Sequence, residues 1–297
     1  MSLAGVATRV AARLAPRLSF PLASGLGRSL GSLAWALDGR HRRVAMKNLA
    51  IAFPGMSEAR RQQLARAAFQ QVGRTAIEML WSPSLDRETL AQVTVFEGKQ
   101  HLDEALAAGK GVILISAHFG NWELTGVALG HVEVRTNVIA REIDDPQIEA
   151  LLHRLRTRTG ARVIHKQDAV RAALRELRDG KIIAVLMDQN TLADQASFVP
   201  FFGKMAATTR ITAQLHLRTG APIIMGFCVP EGTRYRLVFE PLETAGAVLG
   251  DEDAVERLTA AATKHIEEQI RRCPEAWLWI HDRWRTRPPP AGEATTE

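Results

Sequence analysis

Apolar and small residues recur along the chain with two periods. Over 57–80 they fall four apart, at Leu64, Ala68, Val72, Ala76 and Leu80, which predicts one buried stripe of a helix. Ser57 is placed as its N-cap, with Glu58 in the first turn. From 111 the pattern changes. Val112 to Ala117 is an unbroken apolar or small run between glycines and the polar His118, the pattern of a strand covered on both faces. Strand and helix then alternate: strand 111–117, helix 122–130, strand 134–140, helix 145–159, strand 161–165, helix 168–179, strand 181–187. This alternation predicts an α/β fold, an open and largely parallel sheet wrapped by helices. A helix over 208–218, strands at 222–229 and 235–239 joined across Glu231-Gly232, and a closing helix over 252–272 follow. Upstream, 39–53 reads as a helix stopped by Pro54-Gly55. The segment 82–98 is turn-rich around Pro83 and then strand-like at 93–96, and 99–108 is a short helix.

The first 37 residues add a different element. Arg9, Arg13, Arg17 and Arg28 occur with no acid before Asp38, and Leu3, Val6, Val10 and Leu14 recur at helical spacing. A basic amphipathic helix of this kind suits a membrane interface, with arginines toward anionic headgroups; a packed terminal helix or a targeting peptide has the same composition. The longest early uncharged run, 18–27, contains a proline and is far short of the roughly 18 residues of a spanning helix. The expected organisation is a basic, membrane-associating helical segment over 1–38, one domain over 39–287 and a Pro-rich disordered tail over 288–297. With 297 residues, 46% of them hydrophobic, the chain can bury a sizeable core. Its net charge of +6 points to an anionic partner, and the absence of any nucleic-acid motif argues against DNA or RNA. Cys228 and Cys273 lie outside any disulfide or zinc spacing, so no metal is expected.

The candidate chemistry collects where strands end, the edge at which open α/β sheets bind ligands. His118 follows the first long strand. Gly120 and Asn121 break it, Asn121 is a good N-cap, and Glu123 falls in the first turn of the next helix. On one continuous helix His118 and Glu123 would diverge by about 140° at ~100° per residue; a turn between them removes that obstacle. A carboxylate that fixes the imidazole tautomer makes a general base. The competing reading is a buried, hydrogen-bonded histidine with Glu123 serving only the helix N-terminus. Arg141 follows the second strand and suits a phosphate or carboxylate, or simply pairs with Glu142 or Asp144. Asp188, with Gln189, follows the strand at 181–187 and either holds a site residue or binds a hydroxyl, or opens an Asx turn. The loop beyond is apolar: Phe198, Phe201 and Phe202 form either a wall for a hydrocarbon chain or a buried plug. Lys204, Thr208, Thr209 and Arg210 then offer cations and a helix N-terminus to an anion, or an ordinary cap. Trp277, Trp279 and Trp284 among His281, Arg283, Arg285 and Arg287 suit a membrane interface or a packed cluster under a basic surface.

These residues together resemble the bacterial lipid A biosynthesis (late) acyltransferase family, within the glycerolipid acyltransferase superfamily. The resemblance rests on His118-Phe119-Gly120-Asn121-Trp122-Glu123 as an H-x-x-x-x-[D/E] motif and on Asp188-Gln189. It also rests on 198–203 with Ala206-Ala207-Thr208, on Arg43-Val44, Asn48-Leu49 and Phe53-Pro54, and on Pro274, Trp277 and Trp279. It covers 40–287. The resemblance implies an O-acyltransferase on the cytoplasmic face of a bacterial inner membrane, peripheral or monotopic. Such an enzyme moves a fatty acyl chain from a thioester, an acyl carrier protein or acyl-CoA, onto a hydroxyl of a lipid A precursor or related glycolipid. It implies His118 and Glu123 as the catalytic pair, with no cofactor beyond the thioester co-substrate. Arg141 and Asp188 match motif positions near the site. Many members carry a more hydrophobic N-terminal anchor than this chain.

The residues support the same reaction by direct transfer. The string Gly27-Arg28-Ser29-Leu30-Gly31 lacks the strand that a nucleophile elbow requires, neither cysteine lies near His118, and Ser116 on the strand reads as structural. A thioester or ester hydrolase and a non-catalytic lipid-binding protein are the rival readings. A phosphatidylinositol mannoside or an aminolipid is an alternative acceptor.

Overall fold

A computed structural model describes residues 3–165, 169–244, 247–251 and 253–289. The tail expected to be disordered lies, from 290 on, outside the described residues, as do the side chains of Leu3 and Val6.

The alternation read from the sequence forms as expected. Strand β2 (Val112–Ser116) leads through a turn into α7 (Trp122–His131), and β3 (Thr136–Ala140), α8 (Pro146–Thr157), β4 (Arg162–His165), α9 (Ala169–Arg178) and β5 (Ile182–Leu186) follow. The later segments are α10 (Ile211–Thr219), the hairpin β8 (Ile223–Glu231) and β9 (Arg234–Pro241), and α11 (Ala254–Arg272). Upstream, β1 (Thr94–Glu97) leads into α6 (Lys99–Ala107). These strands make a seven-stranded sheet in the order β1-β9-β8-β2-β5-β3-β4. Strands β8, β2, β5, β3 and β4 run parallel; β9 is antiparallel to β8, and β1 runs parallel to β9.

Every residue of β2 is buried, and its side chains alternate between two cores. Ile113 and Ile115 join Ile183, Val185 and the tryptophans Trp277, Trp279 and Trp284 on one face. Val112 and Leu114 join Ile182, Leu124 and Leu129 on the other. That two-sided cover explains why the strand reads as a continuous apolar run.

Three parts differ from the expectation. Residues 87–93 of the segment read as turn-rich form α5 (Arg87–Val93), capped by Asp86, whose carboxylate accepts from the Thr89 amide at 2.7 Å. The helix expected from 208 begins at Ile211, because 196–209 folds into a separate hairpin, β6 (Ala196–Phe201) with β7 (Lys204–Thr209). The third concerns α4 (Glu58–Trp81), which starts at Ser57 as expected but does not bury the expected stripe. Ala76 is exposed, and the buried face of its second half carries Gln71, Arg74, Thr75 and Glu78. Four-residue steps drift around a 3.6-residue helix, so an i+4 stripe cannot stay on one face for about six turns.

The N-terminal residues form α1 (Leu3–Leu14) and α2 (Phe20–Leu37), and α3 (Gly39–Ala52) follows. Helix α2 lies along α4 in close backbone approach. A Cβ at Gly31 would collide with the Phe69 carbonyl oxygen, and one at Gly73 would collide with that of Gly27. Only glycine permits this contact. Replacing Gly73 with alanine is therefore expected to force the helices apart and to cost about 1–3 kcal/mol, read as a lowered Tm and denaturation midpoint. Gly55→Ala, at a position with open space around it, serves as the reference.

Candidate active site

Sheet register brings the candidate residues together. Ser116 of β2 pairs with Leu186 of β5, and the Met187 amide donates to the Ser116 carbonyl at 3.2 Å. Two residues further along each strand stand His118 and Asp188, so adjacent parallel strands deliver both to the same edge of the sheet. His118 Nδ1 lies 2.8 Å from Asp188 Oδ1, and the His118 amide donates to Asp188 Oδ2 at 3.0 Å. Trp277 Nε1 donates to that same oxygen at 2.7 Å. Asp188 is 3% exposed. Burial alone would raise its pKa, but the imidazole of His118, the Trp277 indole and the His118 amide outweigh it and hold the carboxyl below the ordinary aspartate value. With Nδ1–H donating to the carboxylate, Nε2 carries the lone pair. It faces the Gln189 side-chain amide at 3.3 Å, and the Trp122 ring meets the imidazole edge-on, centroids 5.1 Å apart.

The expectation that Glu123 fixes the imidazole tautomer is corrected by this geometry. Asp188 occupies Nδ1, and Glu123 faces Arg156 of α8, which donates from Nε at 2.9 Å and from one Nη at 2.5 Å. Both side chains are largely buried. Burial works against the Arg156 charge, and the Glu123 carboxylate more than offsets it, so the guanidinium pKa is raised. Arg156 carried no signal of its own in the sequence; it is one of two arginines in the last turn of its helix.

A C-terminal strap holds the turn from the other side. The Leu278 amide donates to the His118 carbonyl at 3.0 Å, and the Gly120 amide donates to that of Ala276 at 2.9 Å. The Asn190 amide donates to His281 Nε2 at 3.0 Å, which makes that ring neutral, in keeping with the burial that lowers its pKa. Asn48 Nδ2 reaches the carbonyls of Trp279 and His281 at 2.8 and 2.6 Å, tying α3 to the strap. Trp277, Trp279, Trp284 and Arg283 are all buried, so the packed-cluster reading of this run holds and the interface reading does not.

The remaining candidates divide. Arg141 stands beyond β3 at the same sheet edge, but its side chain is largely exposed and pairs with Asp144 at 3.2 Å. Lys204 and Arg210 sit at opposite ends of β7, about 20 Å of strand at ~3.3 Å per residue. They therefore form no single anion cradle. Thr208 between them is buried and accepts from Arg283. Phe201 and Phe202 are buried against Trp277, Trp279 and Trp284, so they fill the core as a plug rather than line an open wall; Phe198 stays half-buried.

The model of the bacterial lipid A biosynthesis acyltransferase family matches residues 3–286. The chain belongs to that family. As a lipid A biosynthesis acyltransferase family member it is an O-acyltransferase. The chain is 28% identical over 278 residues to the lipid A biosynthesis lauroyltransferase of Escherichia coli (strain K12), covering 93% of this chain and 89% of that one. It is 29% identical over 279 residues to the lipid A biosynthesis palmitoleoyltransferase of the same strain, covering 92% and 88%. A phosphatidylinositol mannoside acyltransferase of Mycobacterium tuberculosis (strain ATCC 25618 / H37Rv) is 26% identical over 244 residues, covering 80% and 75%.

In this acyltransferase the lowered Asp188 pKa fixes the sign of a pH effect. The stabilisation is complete above the ordinary aspartate value and is lost as pH falls through the lower value in the fold. Asp188→Asn is expected to remove it at every pH, so the Tm difference from wild type shrinks as pH drops below about 4. The same substitution should lower kcat by about 10³- to 10⁴-fold, the scale of a misplaced tautomer in a histidine–carboxylate dyad.

Proposed function

We propose that the chain transfers a fatty acyl group from a thioester, on an acyl carrier protein or coenzyme A, to a hydroxyl of a lipid A precursor, with His118 as the base. The observation that carries this reading is the His118–Asp188 dyad at the carboxyl edge of the sheet, in a chain of the lipid A acyltransferase family. Nε2 takes the proton of the acceptor hydroxyl as its oxygen attacks the thioester carbonyl. The tetrahedral oxyanion collapses, the C–S bond breaks, and the thiolate receives the proton from the imidazolium. Asp188 steadies the imidazolium charge between the two proton transfers. Glu123 acts at one remove. It holds Arg156, and in this reading that fixed cation steadies the developing oxyanion.

Transfer is direct in this scheme, and the thiols support that. Burial pushes the Cys228 thiol far above its ordinary pKa, and burial with Glu275 pushes Cys273 up to about 12, so neither is a ready thiolate. Labelled acyl transfer to a tetra-acylated lipid A precursor tests the scheme. His118→Ala should lower turnover by about 10²- to 10⁴-fold, Glu123→Ala should lower kcat as well, and Ser116→Ala should leave turnover near wild type. Free fatty acid without acceptor product would instead identify a hydrolase. Product on a phosphatidylinositol mannoside alone would move the acceptor.

The membrane-facing element in this reading is α2. Leu22, Leu26, Leu30, Leu33 and Leu37 form one stripe, each between 44% and 76% exposed, and Arg9, Arg13, Arg17 and Arg28 of the same N-terminal segment are exposed too. No described helix is long and apolar enough to cross a membrane. An exposed apolar stripe in a basic N-terminal segment fits the interfacial plane of an anionic inner-membrane leaflet, on its cytoplasmic side. Leu26→Asp with Leu30→Asp should abolish flotation with vesicles of phosphatidylglycerol and phosphatidylethanolamine, and raised salt should weaken it in wild type. Unchanged flotation of the double variant would place the membrane contact elsewhere.

A further inference from the structure

The buried polar face of α4 meets the catalytic turn through one carboxylate. Glu78 is 2% exposed and accepts four hydrogen bonds. On Oε1 it takes Arg74 Nε at 3.1 Å and the Ser24 hydroxyl. On Oε2 it takes the Tyr235 hydroxyl at 2.6 Å and Asn121 Nδ2 at 2.8 Å. Asn121, 1% exposed, uses its other side-chain atom as the cap of α7, accepting from the Leu124 amide at 3.1 Å. One helical turn before Glu78, the Thr75 hydroxyl donates to the Gly120 carbonyl at 2.9 Å. Gly120 has φ +58 and stands so close to the Cys228 carbonyl that any Cβ would collide with it. The turn between His118 and Glu123 thus has no slack on the strand side and is set by α4 on the other.

We infer that Glu78 is a positioning residue for acyl transfer: it orients Asn121, and through it the turn that aims His118 on one side and Glu123 on the other. The inference rests on the acyl-transfer reading for its activity readout only. A purely structural carboxylate would be satisfied by Arg74, Ser24 and Tyr235, three donors that tie α2, α4 and β9 together. The fourth donor is the amide of the residue midway along the H-x-x-x-x-E motif, and it forces the amide orientation. With Nδ2 held on Glu78, Oδ1 must face the Leu124 amide, so the first turn of α7 cannot rotate without breaking both bonds. Displacements of the order of an ångström at a reacting group reduce rates by about 100-fold.

The donor direction makes a reciprocal exchange informative. Asn121→Asp keeps the cap on the Leu124 amide but sets two carboxylates face to face. Glu78→Gln in that background turns the contact around, with the glutamine amide donating to the carboxylate introduced at position 121 and to the Tyr235 oxygen, its carbonyl still accepting from Arg74, and leaves one negative charge in the cluster. Glu78→Gln alone strands the buried Arg74 charge and can unfold the chain, so Asn121→Ser, which leaves the Glu78–Arg74 pair intact and is too short to reach it, is the second single variant. Ser24→Ala removes one bond from the same carboxylate on the side away from the turn and serves as the reference. Two quantities are measured on each protein with Tm recorded: kcat and KM for transfer to the tetra-acylated precursor, and the rate at which diethylpyrocarbonate modifies His118, followed by mass spectrometry. The second needs no substrate, so an inactive wild type would end the acyl-transfer reading while leaving this one tested.

Asn121→Ser and Asn121→Asp should each lower kcat by about 10- to 100-fold with KM changed less than about threefold, and both should alter the His118 modification rate. The Glu78→Gln/Asn121→Asp double variant should recover most of kcat and the wild-type modification rate, and Ser24→Ala should match wild type in both. Wild-type kcat and modification rate in Asn121→Ser, or a double variant no better than Asn121→Asp alone, would overturn the inference. So would a Ser24→Ala loss equal to that of Asn121→Ser, since the effect would then belong to the cluster as a whole.

Discussion

A carboxylate buried under the edge of the sheet governs the arrangement of the site. Asp188 is removed from water, and an ionised group there must be matched by donors or it takes up a proton. Three donors meet it: the amide and the imidazole of His118, and the Trp277 indole. They come from two structural decisions. The first two require β2 and β5 to be neighbours in register, and the third requires the C-terminal strap to cross beneath the edge. The buried charge therefore ties the sheet order, the turn after β2 and the last described segment of the chain to one another. Trp277 and Trp279 are buried for the same reason that Asp188 is dry, since the aromatic cluster that excludes water from the carboxylate also carries the indole that satisfies it.

Helix α4 is the second frame. A buried helix face usually carries apolar side chains, yet half of this one presents Gln71, Arg74, Thr75 and Glu78. Burying that many polar groups is tolerable only when they bond one another and the backbone they meet. Here they bond Ser24 of α2, Tyr235 of β9 and the turn at 120–121. The close packing of α2 on α4 through Gly27, Gly31 and Gly73 leaves no room for the N-terminal helix to shift independently. The helix that exposes the leucine stripe is thereby packed directly on the helix that bonds the turn at 120–121.

Local features were legible in the sequence, and pairings across the fold were not. Ser57 and Asn121 cap the helices they precede, the continuous apolar run at 112–117 is a doubly covered strand, and Gly232 turns the β8–β9 hairpin. His118 stood out because a polar residue ended that run. Its partner did not, since Asp188 lies 70 residues away and reaches His118 only because β5 returns to lie beside β2 after β3 and β4 have formed further out. Glu123, five residues from His118, was the nearer candidate by sequence and is turned to α8 instead. The misread stripe of α4 has the same origin. Alanine at 76 and valine at 72 look apolar to a periodicity argument, while the demand for Glu78 and Thr75 at the turn comes from residues more than forty positions away.

The two carboxylate pairs are chemically unequal, and the inequality assigns their parts in the proposed reaction. A guanidinium holds its protons throughout the working range, so Glu123–Arg156 stays a neutral pair from start to finish and can orient and donate but not accept a proton. His118–Asp188 begins with a neutral ring beside a carboxylate, one net negative charge, and becomes neutral when Nε2 takes the acceptor's proton. The charge that leaves the dyad is the charge that appears on the tetrahedral oxygen. Total charge in the buried site is thereby constant while its location moves from Asp188 toward the substrate, and a fixed cation at Arg156 favours that displacement. Exchanging the partners would defeat it: a histidine paired with Glu123 in a less buried setting would be steadied by water as well as by the carboxylate, and Arg156 against Asp188 would cancel the dry negative charge that gives the imidazole its pull.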